Sequence, residues 1–258
     1  MTAAERRQRI RRNWLRGLLE ALPGRRPCPV CGGQALPAAA SWMHSHLRCR
    51  RCDLIFVARL PRQEDLIAAY QRVHLGTYQV RHKEDWEPWM RHKHATLEAL
   101  GLADHERGGP GIALDLGCGE GRLLKVLELR GWRAEGLEPN ASLAAEARVL
   151  GQRVTVGALE SFSPARPVQL ITMCHLIEHL RRPLAALDRV RGWLAPPALL
   201  LVETPLSPDY DNIDHLYCFS AAALARALTR SRFSPLAWFD YVDDNYHHHN
   251  LACLARRV

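Results

Sequence analysis

The sequence predicts an α/β fold, a parallel sheet with crossover helices, preceded by a small cysteine-rich module. Three observations carry this. From Ile112 onward, short apolar runs alternate with helical stretches. A glycine-rich turn, Gly117-Cys118-Gly119-Glu120-Gly121, stands where the first of those runs passes into a helix. Four of the eight cysteines, Cys28, Cys31, Cys49 and Cys52, fall into two C-x-x-C pairs near the N-terminus.

Composition limits the alternatives. With 258 residues, 47% hydrophobic and 24% charged, the chain has room for an α/β domain plus an appendage and is too long for a disulfide scaffold. Its longest apolar stretch, Leu194 to Val202, is short and broken by Pro196 and Pro197, so neither a membrane span nor a secretory signal is expected, and the composition suits a cytoplasmic protein. Residues 1–50 hold 10 Lys+Arg against 2 Asp+Glu and so carry the whole formal charge of +8. The protein therefore reads as a basic N-terminal segment on an electrically balanced body, not as a uniformly basic nucleic-acid binder.

In chain order, residues 3–22 read as an amphipathic helix with Ile10, Trp14 and Leu18 on one stripe and Leu15, Leu19 and Leu22 beside it, stopped by Pro23 and Gly24. The domains expected are a basic helix over 1–24, a cysteine module over 25–60, a helical connector over 61–107 containing Tyr70, Tyr78, Trp86 and Trp89, and the main domain over 108–258. A Gly-rich linker, Gly108 to Gly111, opens that domain. Strands are expected at Ile112–Leu116, Arg133–Glu138, Arg153–Gly157, Leu170–Cys174 and Leu199–Glu203. Helices are expected at Gly121–Arg130, Ala141–Leu150 and Pro183–Trp193. A further helix, Ala221–Thr229, then precedes two late strands, Leu236–Val242 and Leu251–Arg256.

Each C-x-x-C pair can turn two thiolates toward one ion, and the hairpin across the seventeen residues between the pairs can bring four together. Structural zinc on Cys28, Cys31, Cys49 and Cys52 is expected. A disulfide pair is disfavoured in a chain without a secretory signal. His44 and His46 lie between the pairs; with the zinc shell already filled, they are expected to face solvent or an acceptor molecule.

The glycines of the 117–121 turn let a ligand approach the backbone at a helix N-terminus, and Glu138, ending the second strand, is the carboxylate expected on ribose hydroxyls. A dinucleotide or another adenosyl cofactor would fit that pattern equally. The run Asp115-Leu116-Gly117-Cys118-Gly119-Glu120-Gly121, together with the seven-strand ending, resembles the class I S-adenosylmethionine-dependent methyltransferases over about Ile112 to Val258. The resemblance implies a seven-stranded Rossmann-like methyltransferase sheet with a small N-terminal zinc ribbon. It places Asp115, Gly117, Gly119 and Gly121 at the methionine moiety and Glu138 at the ribose. Ala158 and Leu159 would border the adenine, and Cys174 and His175 would line the methyl-donor cleft. The sulfurs of Cys118 and Cys174 themselves read as small buried hydrophobes.

His175-Leu176-Ile177-Glu178-His179-Leu180-Arg181-Arg182-Pro183 looks like the segment after the fourth strand in the small-molecule branch of those enzymes. A catalytic metal is not expected there, because the order is H-x-x-E-H and no third ligand is evident in the sequence. Glu203-Thr204-Pro205 and the later run Asp211-Asn212-Ile213-Asp214-His215-Leu216-Tyr217 resemble the acceptor side of zinc-ribbon sugar C-methyltransferases. Thr204 stands where that family often has His, His215 is single where the family commonly doubles it, and the family's additional C-terminal domain has no counterpart here. The resemblance implies acid/base roles for His179 and Glu203, with His215 as acceptor-binding residue or alternative base. Tyr217 and the connector's Tyr78 are expected to bind substrate. His247-His248-His249 reads as a polar hairpin turn.

The function expected is methyl transfer to a small polar metabolite. RNA methylation through the basic segment is the second reading, and a non-catalytic ribbon module that merely binds cofactor is the third. Intact Gly117, Gly119, Gly121 and Glu138 argue against the third, and the neutral body argues against the second.

Overall fold

The computed structural model describes residues 1–20, 26–41, 43–76, 86–106, 111–210, 212, 214–242 and 249–258. Tyr78, Leu22, Pro23, Gly24, most of the Gly108–Gly111 linker, and His247 and His248 lie outside them. The N-terminal part comprises α1 (Ala3–Glu20), β1 (Ala35–Ala40), β2 (Ser45–Cys49) and β3 (Ile55–Val57). The connector holds α2 (Gln63–Gly76), α3 (Trp86–Ala99) and the short α4 (Ala103–Glu106). The main domain then runs β4 (Ile112–Leu116), α5 (Arg122–Leu129), β5 (Arg133–Glu138), α6 (Ala141–Val149), β6 (Val154–Val156), β7 (Val168–Cys174), a 3-10 turn (Ile177–His179), α7 (Pro183–Trp193), β8 (Leu194–Pro205), β9 (Tyr217–Cys218), α8 (Ala221–Arg230), β10 (Phe233–Val242) and β11 (His249–Arg257).

Seven described strands form a mixed sheet in the order β10-β11-β8-β7-β4-β5-β6. The pairs from β8 through β6 are parallel, as crossover helices require, and β11 enters antiparallel between β10 and β8. Ala113, Leu114 and Leu116 in β4 and Leu170, Ile171 and Met173 in β7 are buried, because helices cover both faces of the sheet. The order in which strands are added reverses between the parallel neighbours β4 and β7, which makes the C-terminal ends of these two strands the topological switch point. Helix α5 lays Leu123, Leu124, Val126 and Leu127 against the sheet. Asn140 caps α6 by accepting from the amides of Ser142 and Leu143.

The second sheet, β1-β2-β3-β9, joins the two parts of the molecule, because β9 belongs to the main domain yet pairs with β3 through Ile55 and Phe56. Ser220 Oγ donates to the Cys52 carbonyl at 2.8 Å while also capping α8, and Arg230 reaches the Val30 carbonyl at 2.5 Å. Val30, Leu47, Leu54 and Phe56 share one continuous core with Leu216, Phe219, Leu224 and Leu228. The cysteine module is therefore fastened to the loop after β8.

Two expectations are corrected here. The apolar stripe of α1 is not its packing face: Trp14, Leu15, Leu18 and Leu19 are exposed, and Asn13 and Gly17 are buried instead. The helix packs on β1 and β2 so closely that a Cβ on Gly17 would stand 3.3 Å from Ser45 Cβ, and Asn13 Nδ2 donates to the Ser41 carbonyl at 3.0 Å. Large side chains would not fit at that spacing. Of the two surroundings expected for His46, solvent is the one the fold withdraws. It is buried on the central strand β2 with its ring 4.9 Å from that of Tyr210, and burial followed by the charge of His44 lowers its pKa to about 4.

Candidate active site

The turn after β4 has Gly117, Gly119 and Gly121 at φ of +73°, +54° and +84°, backbone that side chains rarely adopt. A Cβ on Gly119 would meet nothing within 4 Å, so the turn faces open space, whereas one on Gly117 would press on Leu176 at 3.3 Å. Leu176 thus fixes the segment after β7 one side chain away from the glycine turn.

Glu138 ends β5 with no exposed surface. Its Oε2 accepts from the Gly119 amide at 2.9 Å, and its Oε1 accepts from the Asn140 amide at 2.8 Å and the Tyr70 hydroxyl at 2.9 Å. Burial raises its pKa, and these three donors pull against that rise. The contact from Tyr70 ties α2 of the connector to the carboxylate expected at the ribose. Asp115 lies deeper, accepting from Thr172 Oγ1 at 2.6 Å, and burial raises it to about 7. Ala158 and the buried Leu159 follow β6 beside this end of the sheet, and the sulfur of Cys118 is buried as expected.

Across the switch point, Glu203 at the end of β8 is fully buried, with Lys93 Nζ of α3 at 2.5 and 2.6 Å from its two oxygens. His175 Nε2 stands 3.2 Å from the same carboxylate, and its Nδ1 stands 3.6 Å from Glu178 Oε1. Burial opposes both charges. At Glu203 the ammonium and His175 prevail and hold the carboxyl well below the usual range, while at His175 the two carboxylates raise the imidazole to about 9. Trp89 and Tyr241 present their rings to the Lys93 ammonium at 5.3 and 6.0 Å. Sequence reasoning missed Lys93. Among only three lysines it lies on a polar connector helix, and nothing in its local pattern marks a buried cation.

The 3-10 turn carries Glu178, fully buried, and His179. His179 Nδ1 is 3.0 Å from the Asp214 carbonyl, which can only accept, so that nitrogen carries the proton and Nε2 bears the lone pair. The His215 ring lies 4.8 Å from that of His179. Burial, then the neighbouring His179, lowers the His215 pKa. His46 of the ribbon, Ile55, Tyr210 and His215 line a narrow crevice between the ribbon and the main domain. His179 and His215 therefore meet, while Glu203 is separated from them by His175 and Glu178. Tyr217 sits in the seam between ribbon and main domain, largely buried, donating its hydroxyl to the Arg181 carbonyl at 3.2 Å and lining the same crevice as His46 and His215. Tyr78 lies outside the described residues.

The four N-terminal sulfurs converge: those of Cys28 and Cys52 are 3.6 Å apart, those of Cys31 and Cys49 3.4 Å, and all four lie within 4.8 Å of one another. The amides of Gly33 and Arg51 each donate to a sulfur at 3.4 Å. Such donors lower the charge on thiolates gathered around one cation.

A family profile described as a methyltransferase domain matches residues 90–251. No curated relative matches the sequence. Among solved structures, the 1,6-didemethyltoxoflavin-N1-methyltransferase of Burkholderia thailandensis is 17% identical, with a TM-score of 0.59, over 86% of this chain and 99% of that one. An S-adenosylmethionine-dependent methyltransferase from Clostridium acetobutylicum is 13% identical, with a TM-score of 0.52, over 74% of this chain and 99% of that one. The glycopeptide N-methyltransferase MtfA, solved with S-adenosylmethionine, is 17% identical, with a TM-score of 0.51, over 63% of this chain and 94% of that one. The strand order, the glycine turn above the switch point and the matched span together show that the chain belongs to the methyltransferase-domain family, as an S-adenosylmethionine-dependent methyltransferase of the class I fold.

Proposed function

We propose that the protein methylates a small polar metabolite held between the ribbon and the segment after β7. What supports this reading is the narrow crevice lined by His46, Ile55, Tyr210, His215 and Tyr217, whose His215 stands against His179 of the segment after β7. A crevice closed on one side by a docked ribbon suits a compact acceptor better than a polymer. The sugar C-methyltransferase resemblance points the same way.

Gly117, Gly119 and Gly121 would hold the methionine moiety of S-adenosylmethionine, and Glu138 the ribose. Asp115 would support the turn from below, Ala158 and Leu159 would border the adenine, and Cys174 and His175 would line the side toward the acceptor. The fit rests on the open space over Gly119 and on a buried carboxylate at the strand end that already gathers three donors. S-adenosylmethionine, when bound, supplies an electrophilic methyl group on a sulfonium.

Alignment of the acceptor with that methyl accounts for much of the rate in such a transfer. His179 is placed to receive an acceptor proton at Nε2, because its Nδ1 is committed to the Asp214 carbonyl. His215 holds the acceptor beside it. Glu203 enters as the anchor of His175 and not as a proton carrier, since Lys93 keeps it ionised. Tyr217 would contribute by shaping the seam, and Tyr78 as a contact from the connector. The ribbon would take one structural zinc on Cys28, Cys31, Cys49 and Cys52.

The test is incubation with methyl-labelled S-adenosylmethionine and separated metabolite, RNA and protein fractions. Label in the metabolite fraction, lost in His179→Ala, supports the proposal. Label in RNA alone, with affinity falling steeply as salt rises, replaces it.

A further inference from the structure

Glu178 is the buried group that the fold leaves least satisfied. Among the described residues, neither carboxylate oxygen receives a hydrogen bond and neither reaches solvent. The His175 imidazolium faces it at 3.6 Å without a hydrogen bond and is shared with Glu203, so this buried carboxylate has room for a further cation. Three imidazoles surround it. His175 Nδ1 stands at 3.6 Å, but that ring also serves Glu203. His179 Nε2 stands at 3.8 Å, and because its Nδ1–H is spent on the Asp214 carbonyl, the neutral ring turns a lone pair toward the carboxylate. Two lone-pair donors facing each other repel unless a positive charge lies between them. His215 completes the corner, one ligand atom from each of Glu178, His179 and His215 lying within 4.8 Å of the others.

We infer that Glu178, His179 and His215 bind a divalent transition-metal ion, separate from the cysteine site, with positions left open for an oxygen of the acceptor. The donor set is two imidazoles and one carboxylate, which suits zinc, iron, cobalt, nickel or manganese rather than magnesium. Ligands about 2.1 Å from a tetrahedral ion are about 3.4 Å apart, so the observed spacing needs only small side-chain rotations to close. The carbonyl of Asp214 acts as the outer partner that fixes the tautomer of a ligating histidine. Sequence order hid this site, because the third ligand lies thirty-seven residues beyond Glu178 in a different loop; the Leu216 amide, donating to the Glu178 carbonyl at 2.9 Å, brings that loop in.

The inference rests on the reading above that this corner faces the acceptor, and it deepens it. With the ion bound, His179 Nε2 is a ligand, and the ion takes over both holding the acceptor oxygen and lowering its pKa.

Cobalt(II) is the probe. Protein whose cysteine site is already filled with zinc is titrated with cobalt and followed by visible absorption. The expected result is one further equivalent showing ligand-field bands without thiolate charge transfer. Affinity should fall more than about tenfold in Glu178→Gln and in His215→Asn, while zinc content and S-adenosylmethionine affinity stay unchanged. Absence of a second cobalt site in the wild-type protein, or binding through thiolates alone, overturns the inference whatever the variants do. So does cobalt affinity that survives in both variants. The labelled-methyl experiment is independent of this titration: a protein that binds cobalt here yet labels no metabolite refutes the acceptor assignment and leaves the metal site standing.

Discussion

Lys93 Nζ lies 2.5 and 2.6 Å from the two oxygens of Glu203, with both side chains withdrawn from solvent. The pair ties the connector helix α3 to the end of β8, and it does so under the acceptor side of the sheet. A charge pair in such surroundings is costly to break from one side, because the remaining charge keeps its desolvation penalty.

Lys93→Met should therefore lower unfolding free energy by about 3–5 kcal/mol, read by urea denaturation. The double variant Lys93→Met with Glu203→Leu should recover a large part of that loss, since replacing both charges by apolar groups removes the uncompensated carboxylate. A single-variant loss below about 1 kcal/mol, the range of exposed pairs, would show that the pair is not buried in solution.

The ribbon is fastened to the loop after β8 by β9 and by the Ser220 bond to the Cys52 carbonyl, so loss of zinc should be felt beyond the ribbon. Metal analysis should give one zinc per chain. In Cys52→Ser, amide hydrogen exchange should accelerate over Leu216–Ser220 as well as over the knuckles, while β4 and β7 stay protected. Zinc-free wild-type protein with an intact ribbon would remove the idea.

Gly119→Val tests the cofactor cradle. The chain itself has room for the side chain, and the left-handed backbone costs about 1–2 kcal/mol, so the variant should fold. The valine would occupy the space assigned to S-adenosylmethionine, and calorimetry should show affinity lost by more than about tenfold. Unchanged affinity in a folded variant would place the cofactor elsewhere.

The sheet was legible from sequence because its central strands, such as β4 and β7, are short apolar runs closed by turn signals. Ile112–Leu116, Arg133–Glu138 and Pro183–Trp193 begin and end where expected. Strand β8 is longer than expected because Leu194 to Ala198 continue the strand although two prolines interrupt the run. The cysteine cluster was legible for a different reason, since spacing alone brings four sulfurs together. What stayed hidden was long-range and polar. The approach of Lys93 to Glu203, of Tyr70 to Glu138 and of His215 to Glu178 depends on where separate elements dock, and no local period encodes that. The same holds for α1, whose apolar stripe is the strongest signal in its sequence, yet the face that docks on β1 and β2 is the one carrying Asn13 and Gly17.

The His175 ring bridges Glu178 and Glu203 and is about half exposed at its outer edge. Burial lowers its pKa, and the two carboxylates more than reverse that, lifting it from 6.5 to about 9. Lys93, on the far side of Glu203, opposes the rise, and Cys174 precedes it in the chain with a thiol pushed well up by burial. A base whose folded pKa exceeds its unfolded value stabilises the fold fully below the unfolded value. Here that means below about 6.5, with the contribution falling off as pH climbs through about 9. In protein freed of metal at the Glu178 corner, nuclear magnetic resonance of the His175 ring should show a titration near 9, shifted down toward the ordinary value in Glu203→Gln. Thermal stability should decline over the same alkaline window, and the decline should shrink in His175→Gln. A ring titrating near 6.5 in the wild-type protein would mean that it does not bridge the two carboxylates, and the link between the β8 anchor and the histidine corner would be lost.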